Sequence, residues 1–407
     1  MNCIDLFSGA GGLTEGFIRA GYNIIAHIEK EYPASLTLKT RIAYHYLKTN
    51  NQLNLYYSYI KNEISREELY SHIPKKFLDS VINIEINDNT LNDIYNKIDI
   101  LKDKQSIDII IGGPPCQAYS LIGRAASKTK MVGDIRKYLY KHYLKFLEKY
   151  NPKIFVFENV RGMLSSKDEN GENIFTKIIK EMEMLGYRIE YKLLDAKDFG
   201  VPQSRKRVII IGWKEELNFK YPNFRTIKND ININELFSDL PRLNAGDKID
   251  YFQLTTINNA IMKLHIKDDN SNIISQHISR PNNKKDLQIY KIAVKMLNSK
   301  KKLNYAVLPK DLISHNNLNS FLDRFKVVNG RGISHTLVAH ISKDGHHYIH
   351  PDITQNRSIS VREAARIQTF PDSFYFENSR TAAFTQIGNA VPPLMAEIIA
   401  KTIKKAL

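Results

Sequence analysis

Solid apolar runs and stretches of helical period alternate along the first half of the chain. "CIDLFS" (3–8) is a short apolar run, followed by glycines and by "LTEGFIRAG", whose spacing predicts a helix ending at Gly21. "YNIIAHIE" (22–29) predicts a second strand, and the Tyr-, Lys- and Leu-rich region over 33–80 reads as helical. "SIDIIIGG" (106–113) and "PKIFVFEN" (152–159) are further buried strands. Between them "RKYLYKHYLKFLEKY" (136–150) sets apolar residues at 139, 143, 144, 146 and 147, one face of a helix that Asn151-Pro152 stops. Strands alternating with helices predict an α/β protein with a doubly wound, mostly parallel sheet. Ligands of such sheets collect at the carboxyl ends of the strands. "DLFSGAGG", "GGPPCQ" and "FENVRG" all fall at those ends and converge on one crevice.

After "RVIIIGW" (207–213) the pattern changes. Residues 214–335 are polar, loop-rich and poor in periodicity, as a smaller inserted domain would be. Regular character resumes at "SVREAARIQTF" (360–370), where Ser360 and Glu363 form the signature of a capping box. "AVPPLMAEIIAKTIKKAL" (390–407) predicts a helix that opens on prolines and closes on lysines, which suits its dipole. The expected organisation is a catalytic domain over 1–213, an insert over 214–335 and a returning segment over 336–407.

Composition narrows the classes. The 407 residues hold no apolar run of transmembrane length and open without the basic region of a signal peptide. Two cysteines make no disulfide framework, so a reducing cytoplasm is the expected compartment. Lys and Arg outnumber Asp and Glu by 59 to 43, a net charge of +16, which favours a polyanionic partner and nucleic acid first. Compositional drift in a chain rich in Asn and Ile is the plainer explanation. Between 276 and 310 there are nine Lys/Arg against one Asp, with Tyr290 and Tyr305 interleaved.

Several motifs carry chemistry. The glycine-rich turn of "DLFSGAGGLTEGF" departs from G-x-G-x-x-G; nucleotide binding, cofactor binding and a plain tight turn all fit it. Glu29 closes the second strand about 20 residues on, where an acid can bond ribose hydroxyls or simply be solvated. Cys116 sits in a Gly-Gly-Pro-Pro loop whose fixed φ angles hold the backbone in one shape, a setting for a nucleophile rather than for buried filler. Glu158 closes a strand otherwise too apolar for a charge. With Cys116 it suits an electrophile that is protonated while a thiolate attacks it; capping the next helix is its other reading. Gln203, Arg205 and Arg207, at spacing two, would share one strand face and suit phosphates and base edges, or form a plain basic edge strand. His346 and His350 stand at i, i+4, but Asp344-Gly345 predicts a turn and no cysteine or acid cluster completes a site, so no metal is expected.

The ordered set "DLFSGAGG", "GGPPCQAYS", "FENVRGM", "DFGVPQSRKR", "REAARIQTFPDSF" and "QIGNAVPP" resembles the DNA (cytosine-5)-methyltransferase family, over residues 1–213 and 335–407. The resemblance implies a Rossmann-like methyltransferase fold whose 214–335 insert is the variable target-recognition domain. It implies Cys116 as the nucleophile that adds to C6 of a flipped-out cytosine, and Glu158 as the acid that bonds N3 and the exocyclic amine. Arg205 and Arg207 match the pair beside the target cytosine and its backbone. The implied cofactor is S-adenosylmethionine: Phe7 on its adenine, Ser8, Gly9, Ala10, Gly11 and Gly12 around its methionine end, and Glu29 on its ribose. Asn389 and Ala390 match the C-terminal motif that returns to this pocket. Pro115, Gln117 and Ser120 flank the nucleophile, Asn159 holds its loop, and Gln203 joins them in positioning DNA and base.

The family's Gly-Asp pair against the adenine has no clean counterpart here, and Asp88 in "EINDNT" is the nearest candidate. The basic loop 121–134 is expected to move over DNA. The implied partners are double-stranded DNA and a separate restriction endonuclease of the same target; the chain is expected to act as a monomer, without a membrane. A tRNA cytosine-5 methyltransferase and a catalytically silent DNA-binding regulator are the competing readings. The large basic insert favours duplex DNA, whose sequence needs an extra reading surface.

Overall fold

The computed structural model describes residues 1–115, 139–228, 230–313 and 318–407. In chain order the strands are β1 (Asn2–Leu6), β2 (Asn23–Ile28), β3 (Val81–Ile82), β4 (Ile109–Gly112), β5 (Ile154–Val160), β6 (Tyr187–Asp195), β7 (Lys206–Lys214), β8 (Lys248–Gln253) and β9 (Ile273–Ile278). The helices through the first part are α1 (Gly12–Arg19), α2 (Tyr32–Thr49), α3 (Leu53–Ile60), α4 (Arg66–Ser71), α5 (Lys75–Asp79), α6 (Leu91–Lys102), α7 (Leu139–Tyr150) and α8 (Ile174–Met184). They continue with α9 (Ile233–Leu236), α10 (Asn259–Lys263), α11 (Lys284–Asn298), α12 (Val361–Ile367), α13 (Arg380–Asn389) and α14 (Pro393–Ala406).

Seven strands form one sheet in the order β3-β2-β1-β4-β5-β7-β6. The first five are parallel, whereas β7 runs antiparallel between β5 and β6. Strand order reverses between β1 and β4, and in such sheets ligands enter at that switch point. The apolar runs are solid because both faces of the sheet are covered. Cys3, Ile109, Ile111, Val156 and Ile211 pack with Leu13 and Phe17 of α1, while Ile4, Leu6, Ile110, Phe157 and Ile210 pack with Tyr143 and Phe146 of α7.

The region 33–80 is four helices rather than one. Asn51 and Asn62 adopt positive φ, which an α-helix cannot contain, and Pro74 stands at the N-cap of α5. Within 214–335, β8 and β9 pair antiparallel. Ile233, Leu236, Ile261 and Ile274 join the main core with Ile359, Phe370 and Phe374 of the C-terminal segment. Tyr290, Val294, Tyr305 and Phe325 gather instead in a small cluster of their own with Ile349. Ser360 and Glu363 form the expected capping box, and α14 carries Lys404 and Lys405 in its last turn. Among the described residues no helix is long and apolar enough to cross a membrane.

Candidate active site

The turn after β1 is built for close approach. Phe7 takes a positive φ of 56°, and Ser8 is anchored by its N–H donating to Ile28 O (3.1 Å) and its hydroxyl to Asp5 O (2.8 Å). Ala10 is buried beneath the turn, and Gly11 N donates to Ser8 O at 2.9 Å. Gly9 has φ 55° and no atom within 4 Å of where a Cβ would stand, so its backbone borders open space. A Cβ on Gly12 would lie 2.3 Å from Val391 O and 3.1 Å from Ala390 Cβ, so the C-terminal segment packs directly on the start of α1.

Glu29 closes this side. Gly9 N donates to its Oε2 and Glu31 N to its Oε1, each at 2.7 Å. The residue is 7% exposed, so it is no solvated strand-end charge. Burial raises its pKa and the two N–H donors pull it back.

Across the switch point, β4 leads into Gly113, Pro114 and Pro115. A Cβ on Gly113 would sit 2.3 Å from Glu158 O and 2.8 Å from Glu158 Oε2. The glycine thus lets the loop lie against the carboxylate. Asn159 Nδ2 donates to Pro114 O at 3.2 Å, and its own Oδ1 accepts from Val160 N at 2.9 Å. On the neighbouring strand Arg207 Nε reaches Glu158 Oε1 at 2.7 Å. Cys116, Gln117 and Ser120 lie outside the described residues, immediately beyond Pro115.

The family model for C-5 cytosine-specific DNA methylases matches residues 1–64 and 62–405. The chain belongs to that family. Among curated relatives of this methylase, the Type II methyltransferase M.Bpa9945I of Bacillus paralicheniformis is 41% identical, covering 100% of this chain and 99% of the relative. The Type II methyltransferase M.DdeI of Desulfomicrobium norvegicum is 31% identical, covering 99% and 88%. A solved structure from an Escherichia coli prophage, described there as a putative DNA modification methyltransferase, shares the fold, with TM-score 0.61 at 24% identity over 100% of this chain and 99% of that one.

The methylase places several other motif residues differently from the strand pattern. β7 begins at Lys206, so Gln203 and Arg205 precede it and do not share a strand face with Arg207. Arg205 is fully buried: Nη2 donates to Gly388 O at 3.1 Å and Nη1 to Leu337 O. Gln203 is equally buried, with Oε1 accepting from Leu337 N (2.7 Å) and Nε2 donating to Gln368 Oε1 (3.0 Å). Both side chains turn inward and tie the returning segment to the sheet. Asn389 ends α13 with an exposed side chain beside buried Ala390. His346 bonds Tyr290 and His350 stacks on Phe237, in separate surroundings.

Asp88 does not face the cofactor side as an unencumbered acid. Its exposed carboxylate pairs with Lys145 (2.6 Å) and His142 (3.3 Å) of α7. Asn83, directly after β3, instead reaches the loop behind Glu29, donating to Glu29 O (2.8 Å) and Lys30 O (3.0 Å). A lone Asn after a two-residue strand gives no sequence signal. Asp5 was also silent in the sequence. It is buried on β1, accepts from the Thr14 hydroxyl at Oδ2, and has no partner at Oδ1 among the described residues.

Proposed function

We propose that this methylase transfers a methyl group from S-adenosylmethionine to C5 of a cytosine flipped out of a specific duplex DNA site, through covalent addition of Cys116 to C6. The observation that carries the reading is the Glu158 carboxylate, packed on Gly113 and paired with Arg207 beside the Pro-Pro loop that leads to Cys116.

The residues at the β1 end fit the cofactor. The open space at Gly9, the half-buried Phe7 beside it and the buried Glu29 carboxylate suit a ligand with ribose hydroxyls. The unpartnered, buried Asp5 Oδ1 beneath the same turn suits its cationic end. Phe7, Gly9, Gly11 and Glu29 would hold S-adenosylmethionine, with Ala390 at its back and Asn83, in the place first given to Asp88, on the adenine side. When bound, that cofactor supplies an electrophilic methyl group for C5.

The chain's own residues do the rest. A cytosine inside a duplex is out of reach, and extruding it costs a few kcal/mol of stacking and pairing. Arg207 and Glu158 receive the base, Glu158 passing a proton to N3 and accepting from the exocyclic amine, so that the electrons the thiolate pushes into the ring are taken up at N3. The Cys116 thiolate then adds to C6 as N3 takes up a proton; the C5=C6 electron pair moves to C4=C5, giving an enamine whose C5 is nucleophilic. Once C5 carries the methyl group it gives its proton to water, that C–H pair re-forms C5=C6 as the C6–S bond breaks to release the thiolate, and N3 returns its proton to Glu158. Asn159 ties the described part of the loop through Pro114, and a sulfur held near C6 would lower the barrier by positioning. Gln203 and Arg205 act at one remove, by holding Leu337, Gly388 and hence Asn389 and Ala390 in place.

The relatives named Type II methyltransferases support a modification role in a restriction–modification pair, with a separate endonuclease of the same target. We place the enzyme in the cytoplasm with the DNA it modifies, acting as a monomer, with 214–335 as its target-recognition region. Labelled methyl transfer to duplex DNA and to tRNA, followed by bisulfite sequencing of DNA from expressing cells, tests the reading. Methylcytosine at one recurring duplex sequence is the expected result; transfer to tRNA alone overturns it.

A further inference from the structure

The solvent face of α11 is a lysine stripe. Lys284, Gln288, Lys291, Lys295 and Asn298 follow one another at spacings of four and three, and all are exposed. The opposite face, Ile289, Tyr290, Ala293 and Val294, is buried in the small cluster with Tyr305 and Phe325, so packing fixes which side looks outward. Some lysines on other helices sit opposite acids, among them Lys97 on Asp93, Lys145 on Asp88, Lys149 on Asp99 and Lys401 on Glu397. Lys284, Lys285, Lys291 and Lys295 have no ion-pair partner among the described residues. Asp286, the one acid of α11, sits 4.0 Å from His346 Nε2 on the packed side. Lys300, Lys301 and Lys302 extend the exposed positive charge beyond the C-terminus of α11.

We infer that α11 is a phosphate-tracking helix, which binds the sugar–phosphate backbone of duplex DNA without reading its bases. The inference rests on the functional reading above. At a rise of about 1.5 Å per residue, Lys284 to Lys295 spans about 16 Å. One DNA strand presents a phosphate about every 3.4 Å of axis, so a helix laid along it passes four or five. Unpaired ammonium groups on flexible stems suit point contacts to phosphate, this face carries no arginine to pair with guanine, and the amides of Gln288 and Asn298 suit phosphate and sugar oxygens between the lysines. The insert would then divide its labour, with α11 setting affinity and register and other loops supplying sequence choice.

The test is the variant Lys284→Gln/Lys291→Gln/Lys295→Gln in the full chain, measured by DNA affinity across a salt series. Two duplexes are used, one carrying the sequence found methylated and one lacking it. Each lost phosphate contact lowers the slope of log K against log salt by about 0.9, so a fall of about 2–3 is expected. The loss should be equal on both duplexes, with kcat at saturating DNA unchanged. Lys104→Gln/Lys153→Gln/Lys220→Gln removes the same charge around the amino ends of β4 and β5, away from the strand ends that carry the site, and should leave the slope near that of the parent. An unchanged slope in the α11 variant, a loss confined to the methylated sequence, or an equal fall in the second variant overturns the inference. Binding needs no turnover, so a chain that binds but never methylates sinks the functional reading and leaves this one standing.

Discussion

Arg207 Nε lies 2.7 Å from Glu158 Oε1, across two antiparallel strands on which Glu158 is registered with Ile209. The two side chains are therefore diagonal neighbours on one face of the sheet. Both are largely buried, with 11% and 16% of their side chains exposed. Burial makes this pair costly to break singly, and it leaves Glu158 Oε2 as the oxygen turned toward Gly113 and the loop.

Glu158→Gln should keep the shape of the site and lose the carboxyl group that passes a proton to N3 of the attacked ring. We expect kcat to fall by about 10²–10⁴ while DNA affinity stays within a few-fold. Arg207→Lys loses the planar Nε contact and should lower kcat as well, since ammonium does not reproduce guanidinium geometry. Steady-state methylation beside a DNA-binding titration checks both. Full activity in Glu158→Gln would remove the carboxylate from the mechanism.

Cys116→Ala should abolish turnover and keep duplex binding, because phosphate contacts lie elsewhere. Duplex carrying 5-fluorocytosine at the target should form a denaturation-resistant adduct with the parent protein and none with the variant. An adduct that persists without the thiol would exclude sulfur 116 as the attacking atom.

Arg205 separates structure from chemistry. Its guanidinium is buried between Leu337 O and Gly388 O, so Arg205→Lys should cost about 2–4 kcal/mol of stability by stranding buried acceptors. Thermal unfolding should show the loss directly. Activity measured well below the new midpoint should be partly kept, with KM for the cofactor raised because Asn389 and Ala390 shift. A variant of unchanged stability that lacks all turnover would return Arg205 to direct contact with the base.

Asp5 and His27 occupy paired positions on β1 and β2, and burial moves both in the direction of neutrality. The Asp5 carboxyl is pushed up to about 7 by burial, with Glu29 adding to the rise against the Thr14 hydroxyl. His27 is pushed down to about 4 by burial, with the Ser80 backbone pulling it part of the way back. Their effects on stability have opposite sign. His27 binds a proton in the unfolded chain and not in the fold between about pH 6.5 and 4, so its contribution is lost as pH falls through that window. Asp5 holds a proton in the fold and not in the unfolded chain between about pH 4 and 7, so its contribution is lost as pH rises. Asp5→Asn should therefore gain stability over the parent as pH climbs from 4 to 7, and His27→Gln should gain as pH falls. Denaturant unfolding across that range checks the two trends; parallel curves for parent and variants would refute them.

Strand alternation, the glycine turn, the Gly-Gly-Pro-Pro loop and the capping box at Ser360 were legible because each rests on residues a few positions apart. Phe7, Gly9, Gly11 and Glu29 sit together as the order of strands implied. Arg205 and Gln203 were misread for a physical reason. Spacing of two implies a shared face only within a strand, and this strand starts one residue after Arg205. That Asp88 pairs with Lys145 of α7 and that Asn83 reaches Glu29 O was invisible in the sequence, because both contacts depend on where distant elements dock.

The order of apolar runs, glycines and chemistry-bearing residues determined by itself a parallel α/β sheet and the family of this chain, since local period and short motifs are properties of neighbouring residues. Only tertiary structure decided that Arg207 and not Arg205 meets Glu158, that the C-terminal segment closes on Gly12, and that the lysines of α11 look outward as one face. Those outcomes depend on strand order and on which side of an element is buried, and long-range packing sets both.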